Sequence, residues 1–168
     1  MTSKNTLDQY TEILSRLKGE GINFLRIKDS LSKDAIMPNR INCFLRHDVD
    51  FDIESAYDMA VEENRLGICS TYYILRTDTA SFSWSKKGAA DRGIKMMKIM
   101  QDMGHEIGLH YDVFGDWFCE DPKHVDSKIK DDLEFMRQNG IKVETCAAHG
   151  SARMSKTLSY NSKLDLII

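Results

Sequence analysis

Residues 41–50 read INCFLRHDVD, and this stretch decides the fold prediction. It begins with an apolar run without glycine or proline, which predicts a buried strand. Because side chains two apart on a strand face the same way, we expect Asp48 and Asp50 on one side and His47 on the other. Two neighbouring carboxylates repel each other unless a proton or a cation lies between them, so the pair indicates a metal or catalytic site. Capping of the following helix by Asp50 or Asp52 is the alternative, and it would explain only one aspartate.

The composition is that of an ordinary soluble domain. The 168 residues suit one domain spanning 1–168, with 42% hydrophobic and 29% charged residues. A net charge of -3 implies no basic surface for nucleic acid. No apolar run approaches the ~20 residues of a membrane span, and the first residues lack a signal-peptide core, so we expect a cytoplasmic protein. The four cysteines form no C-x-x-C pair, and the sequence carries no indication of the oligomeric state.

Strand-like and helical patterns alternate along the whole chain. Apolar positions at helical spacing separate four predicted strands, which are residues 41–47, 69–76, 105–111 and 141–148. Such alternation predicts an α/β fold of parallel strands with crossover helices, either a distorted or partial (β/α) barrel or an open sheet. In both architectures the chemistry gathers at the carboxyl ends of the strands.

The polar residues at these strand ends predict one site. His110 and His149 close two predicted strands, and Asp48 and Asp50 close another. His105 opens its strand, roughly 16 Å from His110 in an extended chain, and is interpreted as a structural hydrogen-bonding residue. Two histidines together with two aspartates have the composition of a catalytic zinc site or a similar metal site. We therefore expect the four residues to converge on one edge of the sheet.

Two stretches carry a family resemblance. Residues 104–110 read GHEIGLH, and residues 45–50 read LRHDVD. The first is similar to the Gly-His-Glu-Ile-Gly-x-His stretch of the polysaccharide deacetylases, the NodB-like carbohydrate esterases, and the second resembles that family's first motif. The resemblance runs from about residue 41 to residue 150. It implies a NodB-like distorted barrel, a divalent metal for which zinc is expected, and hydrolysis of an N-acetyl group on a sugar or glycan.

The resemblance also implies roles for individual residues. Asp48 would be the general base, and Asp50 and His110 would be metal ligands, although one residue separates two aspartates that are usually adjacent in the family. The family's second histidine falls on the position of Phe114. His149 is then expected either as the missing metal ligand or as the catalytic acid.

The chain is shorter than a typical barrel of this kind. No counterpart of the late general-acid histidine precedes residue 168, and a typical barrel needs ~250 residues. We therefore expect either a domain truncated at its C-terminus or a reduced variant with an open sheet.

Three further residues are candidate contacts for the substrate. Arg76, Trp84 and Trp117 lie on loops at the same edge and are candidate sugar contacts, with ordinary surface or packing roles as the alternative. Two competing functions stay open. One is a metal-dependent amidase acting on a small non-sugar amide, and the other is a non-catalytic sugar-binding or metal-binding relative.

Overall fold

The structure, a computed structural model, describes residues 6–76, 89–111 and 122–149. Helices and strands alternate along these ranges, as the sequence predicted. The helices are α1 (Thr6–Gly19), α2 (Ile53–Arg65), α3 (Ala89–Asp102) and α4 (Pro122–Gln138). The strands are β1 (Asn23–Leu25), β2 (Asn42–Phe44), β3 (Arg46–Val49), β4 (Thr71–Leu75), β5 (Glu106–Tyr111) and β6 (Val143–Ala148), and a 3₁₀ helix covers Ile27–Leu31.

Every described strand pairing is parallel. β3, β4, β5 and β6 lie side by side in chain order, and β1 pairs with β2. Leu45 links the two groups, because its N–H donates to the carbonyl of Leu25 at 3.0 Å and its carbonyl accepts from Thr71 N–H at 2.9 Å. The predicted α/β fold of parallel strands with crossover helices is confirmed. Among the described strands, no ladder joins β6 back to β1, so a closed barrel is not shown.

One face of the sheet packs against helices and forms the core. Alternate residues of the strands point to this face, and α2, α3 and α4 cover it with their apolar stripes. Met97 and Met100 of α3 are 1% and 0% exposed, so both belong to the core. The fully buried residues of this core include Ala60, Tyr72, Ile74, Met97, Met100, Ile107, Leu109 and Ile141.

The strand that carries the aspartates extends further than the sequence predicted. The prediction ended it at residue 47, but β3 continues pairing with β4 as far as Val49. Val49 is 5% exposed on the helix side, and its burial favours the extra residues of strand. Asp48 is therefore inside the strand, beside Tyr73, and Asp50 is the first residue after it.

The segment after β1 covers the amino-terminal end of the sheet. Ile27 N–H donates to Thr71 Oγ1 at 2.8 Å, and Lys28 N–H donates to Glu106 Oε2 at 3.0 Å. The Lys28 ammonium pairs with Glu144 at 2.5 Å, which ties the 3₁₀ helix to β6. The opposite, carboxyl-terminal edge is where the predicted site residues lie. None of the helices in the described ranges has the length and apolar character needed to span a bilayer.

Candidate active site

Three potential metal ligands meet at the carboxyl edge of the sheet. Asp50 directly follows β3, His110 belongs to β5, and His149 directly follows β6. One ligand atom from each residue lies within 4.8 Å of the other two. Asp50 Oδ1 is 3.5 Å from His110 Nε2, and Asp50 Oδ2 is 3.6 Å from His149 Nε2. The backbone N–H of His149 donates to Tyr111 O at 2.8 Å, so the strand ladder fixes the relative position of the histidines.

The spacing of these atoms fits a bound cation better than direct hydrogen bonds. A hydrogen bond between a carboxylate oxygen and a ring nitrogen would bring them to about 2.7–3.2 Å. Two ligands of one tetrahedral ion, each about 2.0–2.2 Å from it, are roughly 3.3–3.6 Å apart. The observed separations of 3.5 and 3.6 Å, which involve Oδ1 and Oδ2 of Asp50 respectively, are both longer than a hydrogen bond and compatible with ligands of one ion. The three side chains could hold a divalent metal ion and leave a position for water or substrate.

A hydrogen bond at Nδ1 of His110 orients the ring, so that its Nε2 faces Asp50. Nδ1 lies 3.0 Å from the carbonyl oxygen of Ala147. A carbonyl can only accept, so Nδ1 carries the proton and Nε2 presents its lone pair towards Asp50. The side chain is 2% exposed, and burial lowers the pKa of the imidazole. The hydrogen bond to Ala147 raises the pKa, but burial is the larger effect and favours the neutral form, which is the form that binds metals.

Asp50 is available as a ligand because another residue caps α2. Asp52 is the N-cap, and its carboxylate accepts from Glu54 N–H at 3.0 Å and from the Ser55 hydroxyl. Asp50 Oδ1 is buried and accepts no hydrogen bond from the part of the chain that the structure describes. Leaving a buried carboxylate oxygen without a donor is unfavourable, and a bound cation would remove this cost. Of the two caps that the sequence allowed, the structure has Asp52.

Asp48 lies beside these three residues and is held by an arginine of its own strand. Arg46 donates to both carboxylate oxygens, with Nε to Oδ1 at 2.7 Å and Nη2 to Oδ2 at 2.9 Å. The guanidinium also lies over the ring of Tyr73, 4.9 Å from its centroid. Asp48 Oδ2 is 3.9 Å from His110 Nε2, and the side chain is 39% exposed. Asp48 therefore adjoins the potential metal ligands while staying accessible to water.

Gly108, in the GHEIGLH stretch, makes room for Tyr73 beneath the site. A Cβ at this glycine would lie 2.4 Å from the Tyr73 ring and 2.8 Å from the carbonyl oxygen of Thr145. The absence of a side chain lets Tyr73 cross β5, where its hydroxyl lies 2.9 Å from Thr145 Oγ1. Thr145 in turn donates to the buried carboxylate of Glu106 at 2.6 Å. These contacts join β4, β5 and β6 below the site residues.

Comparison with known proteins supports the fold. No family model matches the chain, and no curated protein does. Among solved structures, the structure of IcaB from Ammonifex degensii is similar, with a TM-score of 0.62 over 95% of this chain and 76% of that chain. The sequence identity is 13%. This is a likeness of fold. It supports the α/β fold of parallel strands with crossover helices that the sequence predicted.

The opposite face of β3 carries a buried polar cluster that the sequence analysis did not find. Glu63, on α2, is 0% exposed and contacts His47 Nε2 at 2.7 Å. It also accepts from Tyr72 at 2.9 Å, from Ser70 at 2.5 Å and from Tyr10. Burial favours the protonated acid, but hydrogen bonds from His47, Ser70 and Tyr10 outweigh it and lower the pKa of Glu63. We call these five residues the Glu63 cluster.

The sequence of α2 contains a pattern from which the burial of Glu63 could have been predicted. Ile53, Ala56 and Ala60 form the buried stripe of α2, and Glu63 continues that stripe at the same spacing. A carboxylate on an apolar stripe indicates a buried partner network. His47 faces this side of the sheet, as the strand alternation predicted.

His105 has the structural role that its position at the start of a strand indicated. Its Nε2 lies 3.0 Å from the carbonyl of Ala60, and its Nδ1 accepts from Ser70 N–H at 3.2 Å. One nitrogen therefore donates and the other accepts, which defines a neutral ring. Burial lowers the pKa of His105 and favours the same form.

The structure does not bring Arg76 into the site. Its guanidinium pairs with Asp132 and lies 4.2 Å from the ring centroid of Phe135, both on α4. These are packing contacts between the end of β4 and α4, and the role of Arg76 as a sugar contact stays a prediction. The alternation explains the packing contacts, because residue 76 follows Tyr72 and Ile74 onto the helix-packed face. Trp84, Phe114 and Trp117 lie outside the described residues.

Proposed function

We propose that this protein is a divalent-metal-dependent hydrolase that removes an N-acetyl group from a sugar or glycan. The observation that carries the proposal is the grouping of Asp50, His110 and His149 next to the Arg46–Asp48 ion pair. Such a site places a set of potential metal ligands beside a separate carboxylate that can accept a proton. The sequence resemblance to the polysaccharide deacetylases supports the substrate class.

The ligand set proposed for the metal is Asp50, His110 and His149, and zinc is the ion proposed. When bound, a divalent ion lowers the pKa of a water molecule and polarises the carbonyl of the substrate. Two imidazoles and one carboxylate are a donor set that zinc accepts in catalytic sites. The bond from His110 Nδ1 to Ala147 holds the ring in the orientation that this role needs.

Asp48 is proposed as the general base. Its two oxygens have lone pairs beyond those that accept from Arg46, because each carboxylate oxygen offers two acceptor positions. It would take a proton from the attacking water as the new C–O bond forms. Arg46 positions the carboxylate and balances its charge through the two hydrogen bonds of 2.7 and 2.9 Å.

The departing amine needs a proton. With His149 as a ligand, this would be the proton that Asp48 took from the attacking water, and His149 is the alternative source if it is not a ligand. Its ring lies 5.2 Å from that of His110, centroid to centroid, so either role is within reach. We propose the ligand role because Asp50 Oδ2 lies at a ligand-to-ligand distance from His149 Nε2. Trp84 and Trp117 stay proposed as sugar contacts on the sequence alone.

Metal content and acetate release measured together test this proposal. The purified chain should bind one divalent ion and release acetate from an oligomer of N-acetylglucosamine. His110→Ala should abolish both. His149→Ala should lose metal if the residue is a ligand, and should keep metal while losing turnover if it is the acid. Asp58→Asn, an exposed change on α2, is the control and should alter neither readout.

Several outcomes would contradict this function. Full metal occupancy in both histidine variants would remove the metal site. A metal-loaded protein that hydrolyses a small acetamide but no acetylated sugar would favour the amidase. Metal binding without hydrolysis of either substrate would favour the non-catalytic relative.

A further inference from the structure

Phe51 is an exposed aromatic residue next to a proposed metal ligand. Its side chain is 69% exposed, whereas Tyr72 and Tyr73 of the neighbouring strand are 0% and 2% exposed. It directly follows Asp50 at the carboxyl edge of the sheet, so the Cα atoms of the two residues are about 3.8 Å apart. Single exposed apolar residues are common on protein surfaces, and exposure alone would therefore mean little. The exposure of Phe51 matters because the residue directly follows a proposed metal ligand.

The chain holds Phe51 between two anchored residues. Val49 ends β3 with 5% exposure, and Ile53 begins α2 with 7% exposure. Asp52 fixes the first turn of α2 by accepting from Glu54 N–H at 3.0 Å. Only three residues join β3 to α2, and both ends are buried or hydrogen-bonded. The backbone of residue 51 is thus held directly beside Asp50, and its side chain is open to solvent.

The chemistry of the surroundings indicates what the ring would contact. The site itself is polar, with the carboxylates of Asp48 and Asp50 and the guanidinium of Arg46 at one edge. A ligand that contacts both the polar site and the Phe51 ring needs polar groups on one side and a flat apolar face on the other. A pyranose ring has this combination, because its hydroxyls lie around the rim and its C–H groups form an apolar face. The negative face of an aromatic ring attracts such C–H groups. A small amide is too small to contact both the polar site and the ring of Phe51.

We propose that Phe51 is the stacking platform for the sugar ring whose acetamide lies at Asp50, and this rests on the proposed function. Phe51 would then be a specificity-determining residue that distinguishes a glycan from a small amide. The interaction would add binding energy away from the reacting carbonyl, so it is expected in KM more than in kcat.

Steady-state kinetics of metal-loaded variants test the platform. Phe51→Ala should raise KM for an N-acetylglucosamine oligomer about ten-fold, with kcat within about two-fold of the wild type. Phe51→Trp should restore the wild-type KM because it restores a flat aromatic face. For N-acetylethanolamine, a small amide without a ring, Phe51→Ala should change nothing. Ile41→Ala is the matched control, since Ile41 is 71% exposed and precedes β2 at the amino-terminal end of the sheet.

Calorimetric binding separates this inference from the proposed function. Asp48→Asn protein should bind the oligomer, and adding Phe51→Ala should weaken the binding about ten-fold. Binding that depends on Phe51 without any hydrolysis by the wild type would keep the platform and refute the deacetylase. Hydrolysis with a KM that Phe51→Ala leaves unchanged would keep the deacetylase and refute the platform. Absence of both binding and hydrolysis would refute both.

Discussion

Asp48 and Asp50 are two residues apart, yet their partners differ. Asp48 accepts two hydrogen bonds from Arg46, whereas Asp50 faces the two histidines at ligand-to-ligand distances. Asp48→Asn removes a proton acceptor while preserving shape, so turnover should fall roughly 10²–10⁴-fold with metal retained. Asp50→Asn removes a charged ligand, so metal affinity should fall first and activity should recover partly at high metal concentration. Bound metal and acetate release, measured for both variants, check this prediction.

A reversed pattern would exchange the two roles. If Asp48→Asn lost metal and Asp50→Asn kept it, Asp48 would be the ligand and Asp50 the base. Asp58→Asn makes the same chemical change at an exposed position of α2 and should behave as wild type.

Gly108 offers a second test at the scale of a single residue. A methyl group there would lie 2.4 Å from the Tyr73 ring and 2.8 Å from the backbone carbonyl of Thr145. Gly108→Ala should therefore lower the free energy of unfolding by about 1–3 kcal/mol, since the ring or the strand must move. Gly19→Ala is the control, because a Cβ at Gly19 has no neighbour within 4 Å and alanine favours the helix.

Urea unfolding of single and double variants measures this cost. Tyr73→Leu removes the ring that Gly108→Ala would strike, so the double variant should lose less stability than the two single losses added together. Strictly additive losses would show that Tyr73 is not what excludes a side chain from position 108.

At the scale of elements, the Glu63 cluster joins α1, α2, β3 and β4. Glu63→Gln keeps the shape but places an amide N–H₂ against hydroxyl or imidazole donors, which should cost about 1–3 kcal/mol at neutral pH. The pKa of Glu63 is lowered in the folded state, so its ionised form stabilises the fold above the pKa of an unfolded glutamate. That contribution is lost as the pH falls through the lowered pKa.

The free energy of unfolding, measured across a pH series, checks the direction of this pH dependence. The difference in unfolding free energy between wild type and Glu63→Gln should be largest near neutral pH and should shrink in acid. The titratable groups that face Glu63 in the described structure are Tyr10, His47 and Tyr72, with His105 Nδ1 at 3.6 Å. Glu54→Gln changes an exposed glutamate of the same helix, and a similar pH profile for it would contradict the assignment.

The elements and the site edge were predictable because both follow from short-range patterns. Periods of two and 3.6 residues located the strands and the helices α1 to α4, and parallel alternation placed Asp50, His110 and His149 at one edge. The end of β3 was misplaced because pairing with β4 extends the strand through Val49. Glu63 is satisfied by residues from α1, β3 and β4, which are distant in sequence. Partners of this kind depend on tertiary packing, and a single sequence does not specify them.

The contacts of Arg76 also depend on residues that are distant in sequence. The sequence placed it correctly at the end of a strand, and the strand end is at the edge where the site lies. Its partners Asp132 and Phe135 belong to α4, 56 residues or more further along the chain. Only the packing of that helix decides whether the guanidinium faces a substrate or the core.

For the molecule as a whole, metal binding should be visible as stability. Asp50, His110 and His149 come from three separate strands, so the unfolded chain does not present them together. Free zinc at about 100 times its dissociation constant should add about 2.7 kcal/mol to the free energy of unfolding. For a chain of this length that is a rise in Tm of roughly 5–10 °C.

Thermal unfolding in EDTA and in zinc measures the effect. His110→Ala should unfold at one temperature in both buffers. A zinc-dependent rise of equal size in His110→Ala would place the bound metal elsewhere in the molecule.

The strand order has a consequence for how the chain folds during synthesis. β3, β4, β5 and β6 each pair with the strand that comes next in sequence, and the contact between Thr71 and Glu106 spans only 35 residues. Each new strand and its helix can therefore add to a sheet that has already left the ribosome. At every stage the strand added last offers an edge on which the following strand can pair. We expect assembly to proceed from the N-terminus, with His149, the proposed ligand that follows β6, arriving last.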